Sequence, residues 1–175
     1  MKKGLIHIYT GDGKGKTTSA VGLAVRALGH QFKVCYAYFH KRPEKYGYTE
    51  IKNLEKLGAE IFPIAQGHPC CDKDIKKDEH IELTNRQFKE LKEFVYSKDF
   101  DLIIMDEAVV SVRDGFLKED ALVEFMKEKP ESAELVVTGR GATTEMIELA
   151  DYVSEVKKIK HPYDNKITAR EGIEY

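Results

Sequence analysis

A cluster of three glycines stands between an apolar run and a small-residue helical pattern, and no other stretch limits the fold as much. It reads Thr10-Gly11-Asp12-Gly13-Lys14-Gly15-Lys16-Thr17-Thr18. Before it, Leu5 to Tyr9 is short, apolar and bordered by glycine, which favours a buried strand. After it, Thr17 to Leu28 places Ala20, Leu23, Ala24 and Ala27 at helical spacing and stops at Gly29. Glycines in a strand–loop–helix turn let backbone N–H groups point inward around a phosphate, and the helix N-terminus adds partial positive charge. Lys16 would reach the phosphate oxygens and the Thr17 hydroxyl would ligate Mg2+. The plain alternative is a glycine-rich turn with no ligand; Lys14, Lys16, Thr17 and Thr18 in this setting weigh against it. The standard motif wants Gly, four residues, then Gly-Lys-Thr, and here Thr10 holds the first position. Counted from Gly11, the loop is one residue short.

Strand-like and helix-like segments alternate along the rest of the chain. Phe32 to Phe39, Glu60 to Ile64, Asp101 to Met105, Leu135 to Val137 and Tyr152 to Val156 read as further strands. Thr49 to Leu57, Asp78 to about Ser97, Leu117 to Lys129 and Thr144 to Ala150 read as helices. Such alternation predicts an α/β fold, a mostly parallel six-stranded sheet with helices on both faces. Lys41 to Tyr48 and Gln66 to Lys77, rich in charge, proline and glycine, are expected to be mobile loops. At 175 residues the chain is expected to be a single domain, 1–175.

Composition narrows the function classes. The formal net charge of -2, from 28 basic and 30 acidic residues, supplies no general field for nucleic acid or an anionic membrane. No apolar run approaches a membrane span and the start, Met1-Lys2-Lys3-Gly4, is no signal peptide. Three cysteines, two of them adjacent, are no disulfide framework, so the chain reads as cytoplasmic.

Other candidates gather at strand ends. The fourth strand closes in Ile103-Ile104-Met105-Asp106-Glu107, and acids delivered there would hold Mg2+ directly or through water. Which acid lies nearer the metal is open. The fifth strand ends in Thr138-Gly139-Arg140-Gly141, placing Arg140 where ligands of open parallel sheets sit. His40, Lys41 and Arg42 end the second strand on the same edge, where they could contact phosphate or substrate or simply pack. His7, His30 and His80 are read as structural, and Cys35 as a small core residue. His68-Pro69-Cys70-Cys71 lacks the usual zinc-ligand spacing.

With these residues assembled, the chain resembles the P-loop, RecA-like class of ATP:corrinoid adenosyltransferases over nearly its whole length. The residues that carry the resemblance are Thr10 to Thr18 with its shortened spacing, Arg26-Ala-Leu-Gly-His30, Asp101 to Glu107 and Thr138 to Gly141. The terminal block of Leu149 to Asp151, Ser154-Glu155, Lys160-His161, Asp164 and Gly172 to Tyr175 adds to it. The resemblance implies a homodimer that binds Mg-ATP (or Mn-ATP) and cob(I)alamin or a precursor corrinoid, with a reductase as a further partner. It implies attack of cobalt(I) on C5′ of the ribose with triphosphate leaving. Gly11, Asp12, Gly13, Lys14, Gly15, Lys16, Thr17, Thr18, Arg26 and Lys41 would then bind the nucleotide, Lys16 and Arg140 would be catalytic, and Thr17, Asp106 and Glu107 would hold the metal. Family members commonly have an extra N-terminal helix and a tryptophan near Gly67 to Asp72; this chain starts almost at its first strand and has His68-Pro69-Cys70-Cys71 there. Two other readings share the loop and the acids: a small-molecule kinase or ATPase, and a non-catalytic ATP-binding switch.

Overall fold

Parallel pairing of six strands sets the architecture in the computed structural model, which describes residues 3–174. The elements in chain order are β1 (Ile6–Thr10), α1 (Lys16–Gly29), β2 (Val34–Phe39), α2 (Pro43–Tyr46), α3 (Thr49–Lys56), β3 (Glu60–Ile64) and α4 (Lys77–Tyr96). There follow β4 (Leu102–Asp106), α5 (Ala108–Arg113), α6 (Glu119–Glu128), β5 (Glu134–Thr138), α7 (Thr144–Leu149), β6 (Tyr152–Glu155) and a 3-10 turn at Pro162–Asn165. The sheet order is β3-β2-β4-β5-β1-β6, and every pairing is parallel. The expected α/β sheet is therefore found, parallel throughout.

Both faces of the central strands are apolar because both are covered. Along β4, Leu102 and Ile104 face α1 and α3, while Ile103 and Met105 face α4 and α6. Ala20, Ala24 and Ala27 repeat at helical spacing on α1, and side chains this small bring the helix close onto the sheet. The opposite layer is built on Phe88, Leu91 and Val95 of α4 with Leu122, Phe125 and Met126 of α6. Among the described residues no helix is long and apolar enough to cross a membrane.

Several expectations shift. Phe32 is not in β2: Gln31 takes a left-handed φ of 62°, the Phe32 N–H bonds the Ala27 carbonyl, and the ring is exposed. The stretch read as a loop from Lys41 contains α2, opened by Pro43 at its first position, where a missing N–H costs nothing. Alpha-5, directly after the two acids, has no helical signature in sequence, because its six residues with β-branched Val109, Val110 and Val112 are too few to show a helical period. Leu117 is buried but precedes α6, which starts at Glu119.

Candidate active site

The carboxyl ends of β1, β4 and β5 lie side by side, and β5 separates the strand that feeds the glycine loop from the strand that ends in acids. The loop is shaped as much by its neighbour as by any ligand. A Cβ on Gly11 would lie 2.6 Å from the Val156 carbonyl oxygen, and one on Gly13 2.7 Å from the carbonyl oxygens of Val156 and Lys157. The Gly13 N–H donates to the Val156 carbonyl at 2.7 Å. Gly11 (φ 93°) and Gly15 (φ 131°) also hold backbone angles that suit glycine. Lys16 is buried inside this loop, its ammonium donating to the carbonyls of Gly11 (2.6 Å) and Gly13 (2.7 Å). Burial, and then the charge of Arg140, lower its pKa.

Asp106 is fully buried and binds four donors. Oδ1 accepts from the hydroxyls of Thr17 (2.9 Å) and Thr138 (2.7 Å), and Oδ2 from the Tyr36 hydroxyl (3.0 Å). Oδ2 also meets the Lys41 ammonium at 2.5 Å. Burial works to raise the pKa of Asp106, but the Lys41 charge and these hydrogen bonds hold it below the ordinary carboxylate range. The same pair works in reverse on Lys41: burial pulls its pKa down, and Asp106 outweighs this and raises it. Lys41 is delivered by His40, whose left-handed φ of 58° turns the chain at the end of β2. Glu107 also has a left-handed backbone (φ 65°), fixed by its N–H donating to Thr138 Oγ1 at 3.0 Å. Its carboxylate forms no hydrogen bond among the described residues. Burial first, then Asp106, raise its pKa.

These groups open onto one cleft of about 790 Å³. Gly13, Lys14, Gly15, Lys16, Thr17, Thr18, Lys41, Glu107 and Arg140 line it. Asp106 stands behind that lining, beneath Thr17 and Lys41. Gly11 and Asp12 belong to the loop, and the Asp12 carbonyl accepts from Arg140 at 3.4 Å. Arg26 does not join them; it is exposed in the last turn of α1, ten residues past Lys16, about 15 Å along the helix.

The far wall has a different chemistry: Tyr48, His68, Cys70, Cys71, Arg113 and Asp114. Behind it the rings of His40, His68 and His80 surround Phe116, with centroids 5.0, 5.1 and 5.1 Å away. His40 Nδ1 lies 2.9 Å from His80 Nε2, and His40 Nε2 is buried without a partner among the described residues. Burial, then the neighbouring His80 and His68, push the His40 pKa down to about 3. His68 Nδ1 accepts the Cys70 N–H (3.1 Å), which assigns the proton to Nε2, donated to Asp114 at 3.1 Å. Asp72 organises the loop expected to be mobile. Its buried carboxylate binds Lys45 (2.5 Å), Tyr46 (3.0 Å), Arg42 (3.1 Å) and the His68 N–H (3.1 Å). Burial would raise its pKa, and the bonds, led by Lys45, hold it at about 2. Sequence reasoning missed both the histidine cage and this node, since their members are scattered over the residue after β2, the α2 region, α4 and two loops.

A glycine loop at a helix N-terminus, with an acid at the end of a strand one place removed, defines a nucleotide-binding protein of the P-loop class. In fold the chain is similar to the flagellar accessory protein FlaH of Methanocaldococcus jannaschii, with a TM-score of 0.55 and 16% identity over 89% of this chain and 72% of that one. A family profile described as ATP:corrinoid adenosyltransferase BtuR/CobO/CobP matches residues 2–175. The corrinoid adenosyltransferase of Escherichia coli K12 is 32% identical over 174 residues, 99% of this chain and 87% of the relative. Those of Pseudomonas aeruginosa and Salmonella typhimurium are each 30% identical, over 99% of this chain and 85% and 87% of theirs. The chain belongs to the ATP:corrinoid adenosyltransferase family.

Proposed function

We propose that this enzyme transfers the 5′-deoxyadenosyl group of ATP to the cobalt(I) of cob(I)alamin or a precursor corrinoid, and that inorganic triphosphate is released. The observation that carries this reading is the continuity of the cleft. One end is a cationic phosphate cradle, and the other is a wall of aromatic, imidazole and thiol groups beside Arg113 and Asp114, so a nucleotide held in the cradle would face a second group presented at that wall. The leaving group gathers several negative charges, and Lys14, Lys16, Arg140 and the loop N–H groups face it. The corrinoid supplies the attacking electron pair, so the protein needs no nucleophile of its own and its work is alignment and exclusion of water.

A divalent Mg2+ (or Mn2+) fits the donor set. Thr17 gives its hydroxyl proton to Asp106, which leaves the oxygen lone pairs for a cation in the cleft, and the Glu107 carboxylate is unengaged. These are hard oxygen donors. Asp106, saturated by protein donors, acts from behind by orienting Thr17 and Lys41. The cation would supply charge neutralisation at the departing phosphates. The reading also takes the enzyme to be a single domain, from its 175 residues, and cytoplasmic, from its three cysteines; the family resemblance adds a homodimer that a reductase supplies with cobalt(I).

An anaerobic assay with ATP, Mg2+, a strong reductant and a corrinoid tests the proposal. The expected products are an adenosyl–cobalt absorption spectrum and triphosphate in equal amounts. ADP and phosphate without a cobalt–carbon product would overturn it in favour of phosphoryl transfer.

A further inference from the structure

The vicinal pair Cys70–Cys71 has no part in the chemistry above, yet both thiols are free, exposed and on the wall of the cleft. We propose that this pair is a redox-modification site, at which a low-molecular-weight disulfide converts the two thiols into a vicinal disulfide and reshapes the far wall.

The reaction balances in two exchanges. One thiolate attacks the small disulfide, forms a mixed disulfide and expels one small thiolate. The neighbouring thiolate then attacks the protein sulfur of that bond and expels the second. Two protein thiols are oxidised, and one small disulfide is reduced to two thiols. Adjacency makes the second exchange intramolecular, so the mixed disulfide does not persist.

The turn explains why closure has structural consequences. Cys71 and Asp72 both donate their N–H groups to the His68 carbonyl at 2.8 Å, winding Pro69 to Asp72 into a tight turn. Neighbouring Cα atoms are about 3.8 Å apart, below the roughly 4.4–6.8 Å usual across a disulfide. That separation is fixed by the peptide bond, so the ring can close only by rotating the Cys70–Cys71 peptide and its flanking dihedrals, which the hydrogen bonds of the turn oppose. The rotation releases the Cys70 N–H from His68 and moves Asp72, which ties down Arg42, Lys45 and Tyr46 of the α2 region. A bond this exposed and this constrained is readily reduced, as reversible switches require. Its logic suits the proposed reaction, on which the following consequence for the acceptor rests: cobalt(I) exists only under reducing conditions, and the dithiol at its docking wall registers the same conditions.

The test equilibrates the full chain, without nucleotide or corrinoid, in buffers of rising glutathione disulfide to glutathione ratio. It then counts free thiols by alkylation after unfolding and weighs the intact protein. The expected end point is one free thiol, Cys35, and no attached glutathione. C70S and C71S should each stop with one glutathione bound. Three free thiols at the most oxidising ratio, or a wild-type protein that stops as the glutathione adduct, would overturn the site. A second arm measures binding of a fluorescent ATP analogue and of cob(II)alamin to reduced and oxidised protein. Nucleotide affinity should be unchanged, and corrinoid affinity should fall at least tenfold and recover with dithiothreitol. An oxidised pair with undiminished corrinoid affinity would overturn the reshaping of the wall. Failure of the reduced protein to bind corrinoid would instead count against the proposed function and leave the thiol result standing.

Discussion

The two ends of the cleft are built to different standards. At the phosphate end the central contacts are short and redundant: four donors converge on buried Asp106, and Lys16 is held by two carbonyls. At the far end the walls come from loops, two thiols stand exposed, and a buried imidazole nitrogen has no partner among the described residues. On the proposed reading the first end presents fixed charge to a triphosphate chain. The second, on the same reading, admits and releases a bulky second substrate; its loop is tied from below by Asp72, and His68 is held by Asp114. Rigid electrostatics at one end and a tethered but yielding wall at the other is the division of labour expected where one substrate is gripped and the other is received.

The sharpest way to break this contrast is to remove the centre of the rigid end. Asp106→Ala strips Lys41 of its nearer counter-ion, leaving Glu50 Oε1 at 3.4 Å, and should destabilise the fold by about 3–5 kcal/mol, read as a lowered urea midpoint. The double variant with Lys41→Met should recover part of that loss. A midpoint unchanged in Asp106→Ala would mean that the four donors contribute no net order.

Lys16→Ala should leave the fold intact but weaken ATP binding by about 10- to 100-fold, the scale of lost charge-assisted hydrogen bonds (about 1.5–3 kcal/mol). Calorimetric titration checks it. Equal ATP affinity in variant and wild type would remove the phosphate role of the loop.

The far end should reveal itself in acid. His40 titrates near 6.5 in the unfolded chain and at about 3 in the folded one, so below about pH 6.5 the unfolded state binds more protons. Its stabilising effect is complete above pH 6.5 and is lost as the pH falls toward 3, by up to about 1.4 kcal/mol per unit. His40→Gln should flatten that part of the stability–pH curve, and a variant that keeps the full slope would assign it to other groups.

The smallest effect sharpens the boundary of the site. Arg26→Ala, at an exposed position away from the cleft, should change stability by less than about 0.5 kcal/mol and leave ATP affinity unaltered. A clear loss of affinity would extend the site along α1.

How much of this was legible in the sequence follows the same contrast. The loop, the acids after β4 and the arginine after β5 could be found because local spacing places each at a strand end, and parallel topology brings strand ends together. Lys41 could be placed at the correct edge, but its contact with Asp106 could not, because it depends on the left-handed turn at His40, a residue with no glycine-like signature. The histidine cage is a product of packing between loops and α4, and the Asp72 node of packing between a loop and α2, with no period in sequence to betray them. Alpha-5 was lost for a simpler reason: six residues are too few to show a helical period.

The wedge formed by Val156 and Lys157 against Gly11 and Gly13 ties the nucleotide pocket to the rim of the sheet. Beta-6 is exposed along its length and has a strand neighbour on one side only, so it is the strand most easily peeled away. Fraying there would loosen the glycines before it disturbed any catalytic side chain. On the proposed reading, the grip on triphosphate is thus tied to the durability of the outermost strand.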